Sequence, residues 1–150
     1  MAELMKARIN ADSLGELARR IKKNHPAFES EAFVSEILDA DWDSLELKAR
    51  IRKTALALGK TLPADYSQAV TILRQTAADY PADSDGLMLM CLPDYVEVFG
   101  QAEADWEESM AALEQMTSLA SAEFAVRAFI LRDEKRMMAQ MAVWAEHKSE

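Results

Sequence analysis

The sequence is poor in the residues that interrupt or staple a chain. Its single cysteine, Cys91, excludes an internal disulfide framework. Four glycines and four prolines in 150 residues are too few for a loop-rich or low-complexity chain. Two histidines, His25 and His147, together with one cysteine leave no zinc-ligand spacing, and no cofactor motif is present. No run approaches the roughly 18 apolar residues of a membrane helix. The first residues, MAELMKARINADS, lack the apolar core of a secretory signal. Basic residues are also scarce: 17 Lys and Arg stand against 26 Asp and Glu, a net charge of −9. That disfavours a general nucleic-acid coat but leaves room for a local basic face. These features together predict a cytoplasmic protein in a reducing compartment.

What is abundant is helical periodicity. Half the residues are hydrophobic, and they recur at three and four. Leu14, Leu17, Ala18 and Ile21 stripe a first helix, with Ser13 and Glu16 read as its capping box. Phe33 and Ile37 mark a second helix. Ile51, Ala55 and Leu58 mark a third, opened by Asp43 and Glu46. Val70, Leu73 and Ala77 carry the next, and Pro26, Pro63, Pro81 and Gly100 punctuate the series. Trp106, Met110 and Leu113 carry another, and the last two helices begin near Glu123 and Asp133. No stretch alternates as a strand would. About eight helices pair as hairpins over 13–39, 43–80, 92–119 and 122–148. That spacing predicts one all-α domain over residues 1–150, built as a short α-solenoid of stacked antiparallel hairpins. An irregular bundle is the competing architecture, because the hairpins show little direct self-similarity.

The chemistry-bearing residues are few. Asp39, Asp41 and Asp43 have the opening spacing of a calcium loop. Ser44 stands where that loop needs Gly, and Arg50 where it needs a bidentate Glu, so the reading fails. Cys91 in GLMLMCLP reads as a small buried hydrophobe. Cations cluster in three places: Arg19, Arg20, Lys22 and Lys23; Lys48, Arg50, Arg52 and Lys53; Arg132, Lys135 and Arg136. They are either ordinary surface charge or a strip that tracks a phosphate backbone. Glu123 falls in the first turn of a helix behind Ser121 as the expected N-cap, with Arg127 one turn on. That pairing explains both residues structurally. The apolar company of Phe124, Ala125, Val126 and Phe129 leaves a catalytic use open.

Four segments resemble the N-terminal part of the AlkC-type DNA alkylation repair proteins, relatives of AlkD in the HEAT-like alkylpurine DNA glycosylase superfamily. They are ELKARIRKTALALGKTLPADYSQAVTIL (46–73), LPDYVEVFG (92–100), SMAALEQMTSLASAEFAVRAFI (109–130) and MMAQMAVWAEHKSE (137–150). SAEFAVRAF is the most specific piece, although Ala128 stands where the family commonly has Pro. The resemblance implies a HEAT-like or armadillo-like solenoid that acts on alkylated double-stranded DNA. It implies removal of cationic bases of the 3-methyladenine and 3-methylcytosine type by N-glycosidic hydrolysis, without a cofactor or metal. It makes Glu123 an active-site carboxylate. Arg127, Arg132, Lys135, Arg136, Lys48 and Arg52 become the candidate DNA contacts.

The same resemblance places the principal catalytic Asp in later repeats. The chain is therefore expected to be cut at its C-terminal end and inactive by itself. The rival reading is a non-catalytic helical-repeat domain that binds a protein partner. Met137, Met141 and Trp144 share one face of the last helix, widened by Met138, Ala142 and Ala145. Part of that face is expected to stay exposed and to drive homodimerisation.

Overall fold

The computed structural model describes residues 2–149, with side chains over 3–147. Among these residues there are nine α-helices and no strand. They are α1 (Ala2–Lys6), α2 (Ala11–Asn24), α3 (Ser30–Ile37), α4 (Leu47–Thr61), α5 (Tyr66–Ala78), α6 (Cys91–Phe99), α7 (Trp106–Met116), α8 (Glu123–Arg132) and α9 (Glu134–Ser149). Single 3-10 turns occupy Trp42–Ser44, Met88–Met90 and Glu103–Asp105. The all-α solenoid architecture is as expected, with α1 as an additional short helix. It carries no apolar stripe of its own for a pattern search to find.

Local chemistry sets the boundaries. The capping box of α2 lies one turn earlier than the sequence suggested. Asn10 accepts from the Ser13 amide at 3.0 Å, and the Ser13 hydroxyl accepts from the Asn10 amide at 2.9 Å. Glu16 pairs with Arg20 instead. Helix α4 begins at Leu47, after Glu46, because residues 42–44 form a separate 3-10 turn. Asp65 caps α5 by accepting from the Gln68 amide. Ser121 accepts from the Glu123 amide at 3.3 Å, but the N-cap position of α8 is Ala122.

The helices form two layers. One holds α3, α4, α6 and α8, each packed on the next; the other holds α2, α5 and α7 in the same manner. Within the first layer α4, α6 and α8 run parallel, so their N-terminal turns meet around Ile51, Pro93, Asp94, Ala122 and Phe124. Within the second, α5 and α7 are parallel, whereas α2 runs antiparallel to α5, with Arg20 at Asp79 and Asn24 one turn back along α5 at Thr76. Asn24 reaches Thr76 at 3.2 Å, and Arg74 and Gln115 exchange hydrogen bonds of 2.9 and 2.7 Å. Chain order and spatial order differ at one place. α3 and α4 are neighbours inside one layer, joined by Leu38–Glu46, so the expected 43–80 hairpin is not a tightly packed pair. Instead α4 packs on α3 and α6, and α5 on α2 and α7.

The core runs between the layers and contains the apolar stripes named from the sequence for the helices before α9. Leu14, Leu17, Ile21, Phe33, Ile37, Leu58, Leu73, Leu113 and Phe129 are all fully buried. At roughly 1.5–3 kcal/mol per large apolar side chain, this burial is the principal drive to fold. Trp106 meets Phe129 edge-on at 5.5 Å and closes the core beneath α8.

Candidate nucleic-acid interface

The functional side chains that the sequence singles out lie on the first layer and at the α8–α9 turn. Lys48 and Arg52 sit one turn apart on α4. Lys48 places its ammonium 4.4 Å from the ring centre of Phe124, bridging α4 to α8. Phe124 is 41% exposed, high for a phenyl ring in a helical layer. Arg52 turns toward α6. Its guanidinium donates to Asp94 at 2.8 and 3.1 Å and to Glu97 at 2.6 Å. The Asp94 hydrogen bond, outweighing partial burial, raises the Arg52 pKa.

Glu123 and Arg127 form the expected pair across one turn of α8, at 2.5 Å. Both are largely exposed, with side chains 62% and 67% accessible. Glu123 therefore faces solvent, not an apolar wall, because Ala125 and Phe129 turn inward while positions 123 and 127 turn out. The hollow beneath Phe124, between α4, α6 and α8, has a volume of about 10 Å³. It has room for about one water, not for a nucleobase.

Arg132, Lys135 and Arg136 come together where α8 turns into α9. Arg132 and Arg136 both reach Glu103, at 3.3 and 2.5 Å. Both guanidinium groups also lie over the Trp106 ring, at 5.5 and 4.2 Å. Lys135 is exposed on the same turn. The structure thus brings Lys48, Phe124, Glu123 and Arg127 to one edge and sets Arg132 and Arg136 against Trp106, with Lys135 exposed on the same turn. Four of the six candidate DNA-contacting residues are already ion-paired with carboxylates. Sequence reasoning did not pick out Asp94 and Glu97 as partners. Their spacing of three in LPDYVEVFG was visible, but the cation they meet lies some forty residues earlier.

Other candidates resolve structurally. Arg50 is buried and bonds to backbone carbonyls. Asp39 pairs with Lys53, which lowers its carboxyl pKa, and it also accepts from the Asp41 amide. Cys91 is buried, and burial pushes its thiol pKa up. His147 contacts Glu114 of α7. On α9, Met137 is fully buried and Trp144 packs against the core, while Met138 and Met141 of the same expected face are exposed. Leu131 of α8 and Val143 add to the exposed apolar side chains. Among the described residues, no helix is long and apolar enough to cross a membrane.

Two parallel helical layers with an aromatic-and-charge edge define an all-α helical-repeat fold of the kind found in DNA repair glycosylases. The solved structure of Pseudomonas fluorescens alkylpurine DNA glycosylase AlkC, bound to DNA containing an abasic site analog, matches with a TM-score of 0.84 and 32% identity. The match covers 94% of this chain and 38% of that one. The chain has the AlkC-type fold. It is also 41% identical, over all 150 residues, to a Bacillus subtilis (strain 168) protein described as uncharacterized protein YhaZ. The chain spans 40% of that relative's length. No protein-family profile matches the chain.

Proposed function

We propose that this chain is the N-terminal helical-repeat part of a cytoplasmic DNA glycosylase. It would remove cationic alkylated bases, of the 3-methyladenine and 3-methylcytosine type, by hydrolysis of the N-glycosidic bond. The observation that carries the reading is the match to a DNA-bound alkylpurine glycosylase over nearly the whole chain. A cationic base is already a good leaving group, so the reaction needs a carboxylate to stabilise an oxocarbenium-like sugar and to orient water. Glu123, solvent-facing at the start of α8, is assigned that role. Exposed on that turn, Glu123 would act at the sugar from the surface of the layer.

Lys48 and Lys135 are assigned to phosphates. Arg127, Arg52, Arg132 and Arg136 could join them only by exchanging a carboxylate for a phosphate. Residues 1–150 alone are expected to show no detectable excision. In the longer chain that this reading implies, Glu123→Gln lowers release of methylated base while helix content stays unchanged. Full activity of that variant would return Glu123 to a purely structural role as a first-turn acid.

The exposed side chains of Leu131, Met138, Met141 and Val143 favour a second reading, a helical-repeat interaction module. Its proposed occupant is a second copy of this chain, giving a homodimer through α8 and α9. Sedimentation over a concentration range tests it, with Met138→Glu as control. A monomer at high micromolar concentration rules it out.

A further inference from the structure

The basic cluster on α2 takes no part in the interface above. Arg19, Arg20, Lys22 and Lys23 fall within the last six residues of that helix, on the second layer. Arg20 is committed to the fold. It pairs with Glu16 at 3.0 Å, donates to the Asp79 carbonyl at 2.8 Å and lies 4.2 Å from the Tyr80 ring centre. It forms one wall of a cleft of about 420 Å³, lined also by Glu16, Arg19, Lys23 and Asp79. Both acids in this cleft are engaged: Glu16 by Arg20, and the Asp79 carboxylate by the Asn24 amide at 3.1 Å. Arg19, Lys22 and Lys23 are exposed and have no carboxylate partner among the described residues. This contrasts with Arg52, Arg127, Arg132 and Arg136, each of which is ion-paired.

The C-terminal end of a helix dipole favours cations, which accounts for Lys22 and Lys23 singly. It does not account for Arg19, a turn earlier, or for a cleft lined by three cations against two acids, one of them paired with Arg20. Such a surface suits a ligand with closely repeated, singly charged oxyanions. Arg19 offers a planar fork that can hold one phosphate through two hydrogen bonds. Lys23, one turn away, meets the next as a point charge. We infer that the cleft between the end of α2 and the end of α5 is a phosphodiester-contacting surface, with Arg19 and Lys23 as its phosphate ligands. This rests on the DNA reading above and adds a contact on the layer opposite Glu123.

The test is fluorescence anisotropy of a labelled, undamaged duplex with the full chain, over a salt series. Arg19→Ala/Lys23→Ala is expected to lower the slope of log affinity against log salt by about 2, one per lost cation, and equally on unrelated sequences. Arg19→Lys/Lys23→Arg restores the slope, and circular dichroism confirms that all variants fold. If the wild-type chain binds and the alanine pair leaves its slope unchanged, the cleft is not a phosphate site and the DNA reading stands. If the wild-type chain shows no salt-dependent binding, the DNA reading fails and this inference with it.

Discussion

Replacing Arg50 by Met should cost this protein a large share of its stability. Arg50 is 6% exposed and meets no carboxylate among the described residues; its partners are three backbone carbonyls from two segments. Nε donates to Leu45 at 3.1 Å, Nη1 to Lys6 at 3.0 Å and Nη2 to Trp42 at 3.2 Å. The guanidinium also stacks 4.5 Å from the Trp42 ring centre. One side chain therefore ties α1 and the 42–44 turn to α4. Hydrogen bonds from a charged donor are worth about 1.5–3 kcal/mol each, but three on one group are not additive. Freed carbonyls also regain some water. Methionine keeps most of the stem's apolar contact and removes every donor, so the expected loss is about 3–5 kcal/mol. At this chain length that lowers Tm by roughly 6–20 °C. Urea unfolding with a constant m-value measures it. Arg50→Lys, which keeps the charge but not the fork, should recover no more than one bond. Limited proteolysis of the Met variant should open the Leu38–Glu46 connection first. A loss under about 1 kcal/mol would refute the clamp, leaving the carbonyls satisfied by water in the native protein.

Three further outcomes are expected. A Cβ on Gly100 would lie 2.3 Å from the Tyr66 hydroxyl and 2.4 Å from the Ser109 hydroxyl, which bonds to both Tyr66 and the Gly100 carbonyl. Gly100→Ala should therefore cost about 1–3 kcal/mol in urea unfolding. Arg136→Ala removes the Glu103 pair and the Trp106 stack, and should cost about 0.5–2 kcal/mol with a shift in Trp fluorescence. Arg8 at Asp85 and Lys53 at Asp39 hold both carboxyls below the usual aspartate range. A depressed folded pKa contributes stability above the unfolded value, about 3.9, and loses it as pH falls through the folded value. Unfolding free energy should therefore drop below about pH 4, and Asp85→Asn/Asp39→Asn should flatten that drop.

The helices were legible because their causes are local. Three-four spacing of Leu14, Leu17 and Ile21, or of Trp106, Met110 and Leu113, reports a buried face wherever the helix later docks. Pro63 marks a break for reasons internal to the backbone, whereas Gly100 is required by the close approach of Tyr66 and Ser109. The Glu123–Arg127 pair was equally legible, because partners four apart meet on any α-helix. The layer order was not. Whether α4 packs on α5 or on α3 depends on the Leu38–Glu46 connection, whose course is held by Arg50 and Trp42, and a basic residue turned inward looks in sequence like any other. The fate of the cations also belonged to the tertiary structure. Arg52 meets acids more than forty residues away, and Arg132 and Arg136 meet Glu103 across 29 and 33 residues. Arg19 and Lys23 gain no such partner among the described residues, although in sequence their cluster looks the same as the others. Charge pairing depends on distances in space, which only helix packing sets. Sequence alone therefore determined which residues build the AlkC-type core, and packing decided which of its cations remain open to a polyanion.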